Sequence, residues 1–211
     1  QVEHPVTEAC TGVDLVRDMI LVASGNRLPY KQEDIEFRGA AIECRIYAED
    51  PANNFMPSPG IIRVREAPEG RNIRLDSAAY AGFEVSLHYD PMIAKLCSWG
   101  RNRESAIANM TRALREYKIL GIKTTIPFHL SVLHNKTFLG GNYDTTFIDT
   151  KFDKEELSRK KNSDPTVAVI AAALKHFEEE KEAAARATTV PLVGESLWKH
   201  YGKLQMAANN F

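Results

Sequence analysis

The stretch Glu36-Phe37-Arg38-Gly39-Ala40-Ala41-Ile42-Glu43-Cys44-Arg45-Ile46-Tyr47-Ala48-Glu49-Asp50 decides the fold class. From Ala40 onward its side chains alternate. Ala40, Ile42, Cys44, Ile46 and Ala48 fall on one face, and Ala41, Glu43, Arg45, Tyr47 and Glu49 on the other. A period of two with one apolar face is the pattern of a half-buried strand. The loop 51–60 holds three prolines and ends in a Pro59-Gly60 turn. Ile61–Glu66 then predicts a strand with Ile62 and Val64 on one face. Asn72–Asp76 predicts a shorter one, and Met92–Trp99 an apolar one ended by Gly100. Strands that follow one another without helices between them predict an antiparallel sheet.

Helices follow the strands. Asn102 is placed to cap the first, whose Ala106, Ile107, Met110, Ala113, Leu114 and Tyr117 recur at helical spacing, and Gly121 is read as its end. A second starts near Thr125 with Pro127 in its first turn. It carries Phe128, Leu130 and Leu133, and Gly140-Gly141 breaks it. The expected class is α+β, an antiparallel sheet with helices packed on it.

The two ends differ in texture. Near the start, Val13, Val16, Ile20 and Ala23 share a helical face, with Thr11 and Asp14 as a capping-box-like start and Gly25-Asn26 as the stop. Past residue 150, Lys151–Lys161 is a charged connector. Asp164-Pro165 then reads as an N-cap followed by Pro at the first helical position. Val167, Ile170, Ala171, Leu174 and Phe177 make an apolar stripe on that helix, and Glu178–Ala187 looks solvated. Thr188–Gly194 reads as a loop, and Ser196–Ala208 is ambiguous between helix and strand.

Composition narrows the function classes. Of 211 residues, 44% are hydrophobic and 26% charged, as in an ordinary globular protein and unlike a disordered, collagenous or membrane-bundle chain. Apolar runs such as Val167–Leu174 fall far short of the roughly 20 residues that span a bilayer. Lys and Arg number 27 against 28 Asp and Glu, so the basic excess that nucleic-acid binding needs is absent. Cys10, Cys44 and Cys97 are odd in number and form no CxxC, which indicates neither a zinc site nor a disulfide framework and suits a reducing compartment. His129 and His134, five apart, would lie ~140° apart around a helix and make poor joint metal ligands. No metal site is expected.

Two places could carry chemistry. Gln1-Val2-Glu3-His4-Pro5-Val6-Thr7-Glu8 packs an amide, two acids and an imidazole into a segment that Pro5 is expected to keep from being helical. Arg45 lies mid-strand, with the acids Glu43 and Glu49 on its own face. A guanidinium there can present parallel N–H groups to a planar oxyanion. From chemistry alone, a solvated connector accounts for the first place at least as well, and a cross-strand salt bridge on a wet face accounts for Arg45 better than a site does.

An ordered series of blocks adds to this reading. After Gln1–Glu8 come Thr11-Gly12-Val13-Asp14-Leu15-Val16 and Arg38-Gly39-Ala40. Glu43-Cys44-Arg45-Ile46-Tyr47-Ala48-Glu49-Asp50-Pro51 and Pro57-Ser58-Pro59-Gly60 follow. The last blocks are Tyr89-Asp90-Pro91-Met92-Ile93-Ala94-Lys95-Leu96 and Gly121-Ile122-Lys123-Thr124. This series resembles the biotin carboxylases, the ATP-grasp components of acetyl-CoA, propionyl-CoA, methylcrotonyl-CoA and pyruvate carboxylases, from residue 1 to about residue 150.

The resemblance implies a division into the end of an ATP-grasp lobe (1–35), a biotin carboxylase C-terminal domain (36–150) and a helical extension or linker (151–211). It implies a two-stage reaction, in which ATP and bicarbonate give carboxyphosphate and its CO2 is captured by a ureido nitrogen of biotin. Glu3 matches the family's general base for bicarbonate. Gln1, through its side chain, and Val2, through its backbone, match bicarbonate contacts. Arg45 matches the residue that stabilises charge developing on the ureido oxygen, as an oxyanion hole does, and that also reaches bicarbonate. Thr145 falls near the family's adenine vicinity.

The family's phosphate loop, metal carboxylates and adenine clamp precede the position of Gln1. ATP and Mg are therefore expected to bind mostly outside these residues, and the chain alone is expected to be inactive. The first residue is Gln, and the segment is expected to order only where it is tied down. No Met-Lys biotin acceptor occurs, so biotin is expected on a separate carrier domain, with a carboxyltransferase component and a homodimer as further partners. The implied setting is cytoplasmic or organellar. The implied acceptor is acetyl-CoA or propionyl-CoA. A pyruvate carboxylase region and a non-catalytic dimerisation or assembly module are the alternatives.

Overall fold

The computed structural model describes residues 2–153, 165–187, 196, 199, 201 and 202. The chain forms two compact units, Gln1–Lys160 and Lys161–Phe211.

The first unit opens with helices α1 (His4–Thr11) and α2 (Leu15–Ala23). Strands β1 (Ala40–Tyr47), β2 (Glu49–Asp50), β3 (Met56–Pro57), β4 (Gly60–Ile61), β5 (Val64–Glu66), β6 (Ile73–Ser77), β7 (Glu84–Val85) and β8 (Met92–Gly100) follow. Helix α3 (Arg103–Glu116), strand β9 (Lys118–Leu120) and helices α4 (Ile126–His134), α5 (Lys136–Leu139) and α6 (Phe147–Thr150) complete it. The second unit contains helix α7 (Pro165–Ala187), along which Ile170, Leu174 and Phe177 are exposed. Asp164 and Thr188–Gly194 lie outside the described residues, as does most of Ser196–Ala208.

The centre is a three-stranded antiparallel sheet in the order β1-β8-β6. Cys44 and Leu75 both sit opposite Leu96, and Arg45 and Asp76 both sit opposite Lys95. The period of two therefore sorts the sheet into two faces. On one, Cys44, Ile46, Ala94, Leu96 and Ser98 are buried together with Ala106, Met110, Ala113 and Leu114 of α3. Each fully buried aliphatic side chain there contributes about 1.5–3 kcal/mol. Asn102 caps α3, accepting from Ser105 N at 2.9 Å. At Gly100 a Cβ would meet Ala106 N at 2.4 Å, so glycine lets the end of β8 touch the helix backbone. The other face carries Glu43, Arg45, Lys95, Arg74 and Asp76, and α1 packs over part of it.

The structure corrects several sequence expectations. The expectation that Gln1–Glu8 is irregular fails for His4–Glu8. From His4 the segment is helical, and Pro5 sits in the first turn, where its missing N–H costs nothing. The cap of α2 is Asp14, which accepts from Arg17 N at 3.0 Å, so Val13 precedes the helix. Thr11 instead accepts from Val13 N at 3.3 Å in the linker.

The expected strand Ile61–Glu66 is two strands. Ile62 N turns to Phe83 O and Arg63 N to Leu120 O, so the segment changes partner midway, and Val64 is exposed. Helix α3 stops at Glu116 because Lys118–Leu120 leaves to pair with Val64–Glu66. Gly121 closes that strand at φ +109°, where a Cβ would meet Ile61 O at 2.2 Å. The second predicted helix is interrupted at Asn135. Its extended backbone ends α4, and its side chain caps α5.

Candidate active site

Arg45 rises from the α1-covered face of β1. Its Nη2 donates to Glu3 Oε2 at 3.2 Å, and its Nε donates to Glu43 Oε1 at 3.4 Å. Glu3 is the residue just before α1, forty-two positions earlier in the chain. The cross-strand partner of Arg45 is Lys95, a like charge, and Lys95 pairs with Asp76 at 3.5 Å on the far strand. A cross-strand salt bridge at Arg45 is thus excluded. Its guanidinium answers to a carboxylate on its own strand and to one brought in by α1.

Three attachments hold α1 in place. The first is the Glu3–Arg45 pair. In the second, Glu8 Oε2 accepts from Arg74 Nη1 at 2.5 Å, while Glu8 Oε1 accepts from Leu15 N at the start of α2. Arg74 in turn grips Asp76 with two bonds of 3.0 Å. The third is Cys10 O, which accepts from Arg38 N at 2.8 Å, and Arg38 O accepts from Trp99 Nε1 at 2.9 Å. The N-terminal segment is tied down and lies at Arg45. Val2 is half-buried, and Gln1 lies outside the described residues.

The backbone under Arg45 is held from the other edge by α4. His129 Nε2 lies 2.8 Å from Arg45 O, and Thr125 Oγ1 donates to the same oxygen at 3.3 Å while accepting from Tyr47 N at 3.0 Å. The ladder slips by one residue between Ile46 and Tyr47. Such a bulge re-aims side chains and leaves backbone groups for other partners, and here Thr125 and His129 supply them. In the sequence Thr125 is only the start of a helix and His129 only a poor metal ligand, although a histidine one turn into that helix is the available signal.

A cleft of about 590 Å3 is lined by Glu3, Glu43, Arg45, Tyr47, Glu49, Phe55, Thr125, Phe128 and His129. Phe55 and Phe128 meet edge to face, with ring centres 5.1 Å apart, and form an aromatic part of the cleft wall. Partial burial opposes the charge of Arg45, but Tyr47 and the Glu43 carboxylate more than offset it and keep the guanidinium protonated. Burial pushes Glu49 upward, with the nearby Asp90 charge adding to it. Burial pushes His129 downward, against the Arg45 carbonyl, so its imidazole is neutral and donates through Nε2. Thr145 lies elsewhere, exposed in the turn before α6 and outside the cleft lining. Among the described residues no cluster of three or more His, Cys, Asp or Glu is arranged to hold a metal ion, and no helix is long and apolar enough to cross a membrane.

The antiparallel domain thus holds an arginine between two acids in a cleft lined in part by aromatic side chains. Residues 43–150 match the model of the biotin carboxylase C-terminal domain, and residues 1–31 match the ATP-binding domain of the carbamoyl-phosphate synthase L chain. The chain belongs to the biotin carboxylase family.

Over 150 residues it is 56% identical to biotin carboxylase 1 of Bacillus subtilis, covering 71% of this chain and 33% of that protein. Over 149 residues it is 52% identical to a pyruvate carboxylase subunit of Methanothermobacter thermautotrophicus, covering 71% and 30%. The match to the 2-oxoglutarate carboxylase small subunit of Hydrogenobacter thermophilus is 42% identical over 177 residues, covering 84% and 38%. Among solved structures, the biotin carboxylase domain of a thermophilic 2-oxoglutarate carboxylase bound to bicarbonate superposes with a TM-score of 0.69 at 47% identity, covering 71% of this chain and 34% of that one. The chain thus spans about a third of the length of these relatives.

Proposed function

We propose that this chain supplies the bicarbonate and biotin end of a biotin carboxylase active site. One observation carries the reading: Glu3 and Arg45, forty-two residues apart, meet at 3.2 Å on the rim of a cleft. Both side chains are too exposed, at 56% and 40%, for the pair to stabilise the fold by more than about 0–1 kcal/mol. Stability does not explain why they meet.

In this reading Glu3 accepts the proton of bicarbonate and so turns a weak nucleophile into a usable one. Arg45 directs N–H groups at the anion, and then at the negative charge that develops on a ureido oxygen. Val2, and Gln1 ahead of it, contribute the remaining bicarbonate contacts. Biotin on a separate carrier domain would supply the nucleophilic ureido nitrogen. Arg45, with the aromatic wall of Phe55 and Phe128, is the part of this chain that suits its polar ring and apolar flank.

Residues 1–35 act as the end of the catalytic lobe, 36–150 as the C-terminal domain and 151–211 as an extension. Mg·ATP is bound mostly by residues other than these, with Thr145 near the adenine, and the setting is cytoplasmic. The chain alone therefore has no bicarbonate-dependent ATPase activity above background. An acyl-CoA, acetyl-CoA or propionyl-CoA, is the acceptor of the parent enzyme, reached through a carboxyltransferase partner and a homodimer of the carboxylase. A second reading makes the acceptor a 2-oxo acid. It is favoured by the match to the 2-oxoglutarate carboxylase small subunit, which covers 84% of this chain where other relatives cover 70–74%.

Titrating 13C-bicarbonate and free biotin into the chain, with Arg45→Ala and Glu3→Gln as controls, tests the site. Shifts centred on the cleft that vanish in Arg45→Ala are expected. Equal weak responses from all three proteins would favour a non-catalytic assembly module.

A further inference from the structure

Glu43 differs from every other acid near Arg45. Its side chain is 8% exposed, against 56% for Glu3. One oxygen receives Arg45 Nε at 3.4 Å, and the other, Oε2, is buried with no hydrogen-bond partner. A buried carboxylate with one oxygen unsatisfied is a destabilising arrangement, and a neutral side chain of similar size would serve the sheet as well or better. Among the described residues, Arg45 is its ion-pair partner. Strand geometry explains the pairing, because residues two apart share a face about 7 Å from each other. The cross-strand neighbour of Glu43 is the buried Cys97, which leaves its carboxylate little room to move.

The two carboxylates therefore hold different parts of one guanidinium. Glu3 takes Nη2 from an exposed position just before α1. Glu43 takes Nε from a fixed position in the sheet. In the mechanism above Glu3 becomes neutral once it takes the substrate's proton, so its hold on Nη2 weakens and the Nε contact is what remains.

We propose that Glu43 is the positioning residue of Arg45, anchoring Nε so that the Nη2 edge stays turned into the cleft when the hold of Glu3 weakens. The proposal rests on the reading of Glu3 and Arg45 as the reacting groups, but its test does not need that reading to hold.

The test follows the Arg45 Nε–H signal of the 15N-arginine-labelled 211-residue chain by NMR, assigned by its loss in Arg45→Lys. Glu3→Gln should leave its hydrogen-exchange rate within about twofold. Glu43→Leu should raise that rate about tenfold or more, the scale of one charge-assisted hydrogen bond. Glu43→Gln, which keeps an acceptor oxygen, should restore most of the protection. Thermal midpoints of both Glu43 variants should match or exceed that of the unaltered chain. An unchanged Nε–H in a folded Glu43→Leu chain would overturn the proposal, as would equal loosening in Glu3→Gln. Loss of the fold in both Glu43 variants would also overturn it, because it would make the residue a structural one. A silent response of Arg45 to bicarbonate and biotin would instead break the reading of the cleft while leaving the anchor in place.

Discussion

The face of the central sheet that meets α3 and the face that meets α1 are built from alternate residues of the same strands. Leu96 is fully buried on one, and its neighbour Lys95 reaches Asp76 on the other. Cys44 is buried beneath α3, while Arg45 projects into a cleft. Where the apolar face has no freedom, the charged face is held at a few points by ion pairs: Glu3–Arg45–Glu43 at one end and Glu8–Arg74–Asp76 at the other. Packing on one side supplies rigidity without chemistry. Pairing on the other positions charged groups at little gain in stability.

The largest expected effect lies on the apolar face. Leu96→Ala should lower unfolding free energy by about 2–5 kcal/mol in urea, because the cavity opens between the middle strand and α3. A cost below 1 kcal/mol would mean that the two faces do not differ in the way described. The counterpart on the charged face is Arg45→Met. Placed in a complete biotin carboxylase, it should cut the carboxylation rate by about 10^2–10^3, as loss of an oxyanion donor does. The same change should move the unfolding free energy by no more than about 1 kcal/mol. A variant that lost stability and activity in step would erase the distinction between the faces.

Much of the apolar face was legible in the sequence, because alternation and helical spacing report burial directly. Cys44, Ile46, Ala48, Ala106, Met110 and Leu114 were placed correctly, and Asn102 caps as its position suggests. The misses share a cause. The break at Ile62, the early end of α3 and the strand Lys118–Leu120 all follow from pairing between distant segments, which no local window contains. Pro5 was read as a breaker because its bar on helix interiors was weighed above its fitness for a first turn. For the site, the resemblance is what singles out Glu3 and Arg45. Their chemistry alone favours a wet-face ion pair at Arg45 and suits a solvated connector at Glu3 at least as well. His129 and Thr125 were missed as supports of Arg45 because they act on its carbonyl, a contact that side-chain type does not announce.

A smaller effect is expected where the charged face holds α1. Arg74→Met removes the donors to Glu8 and Asp76, and should cost about 1–2 kcal/mol, the scale of a charge-assisted hydrogen bond discounted for the partial exposure of Arg74. Arg74 pushes the Asp76 carboxyl down against the opposing effect of burial, so that part of the stability is present above the ordinary Asp range and lost on strong acidification. The sharper readout is local. Amide exchange in His4–Thr11 should accelerate while that of Arg103–Glu116 stays near the unaltered chain. Equal acceleration in both helices would show that the charged face carries the core as well.

The smallest expected effect concerns the edge where the faces meet, at His129. Burial lowers its pKa from 6.5, and the bond to Arg45 O only partly opposes this. The unfolded chain therefore binds a proton at higher pH than the folded one. Stability from the neutral imidazole is complete above about pH 6.5 and declines as pH falls toward the lowered folded value. Glu49 in the same cleft has a raised pKa, so its contribution runs the other way, present at low pH and lost as pH rises. Subtracting the unfolding free energy of His129→Gln, pH by pH, isolates the imidazole, because glutamine keeps a donor for the carbonyl without titrating. The difference should favour the unaltered chain near pH 7 and shrink or reverse on acidification below 6.5. A flat difference would mean that His129 is solvated in the folded chain, and that the Arg45 carbonyl is held by Thr125 alone.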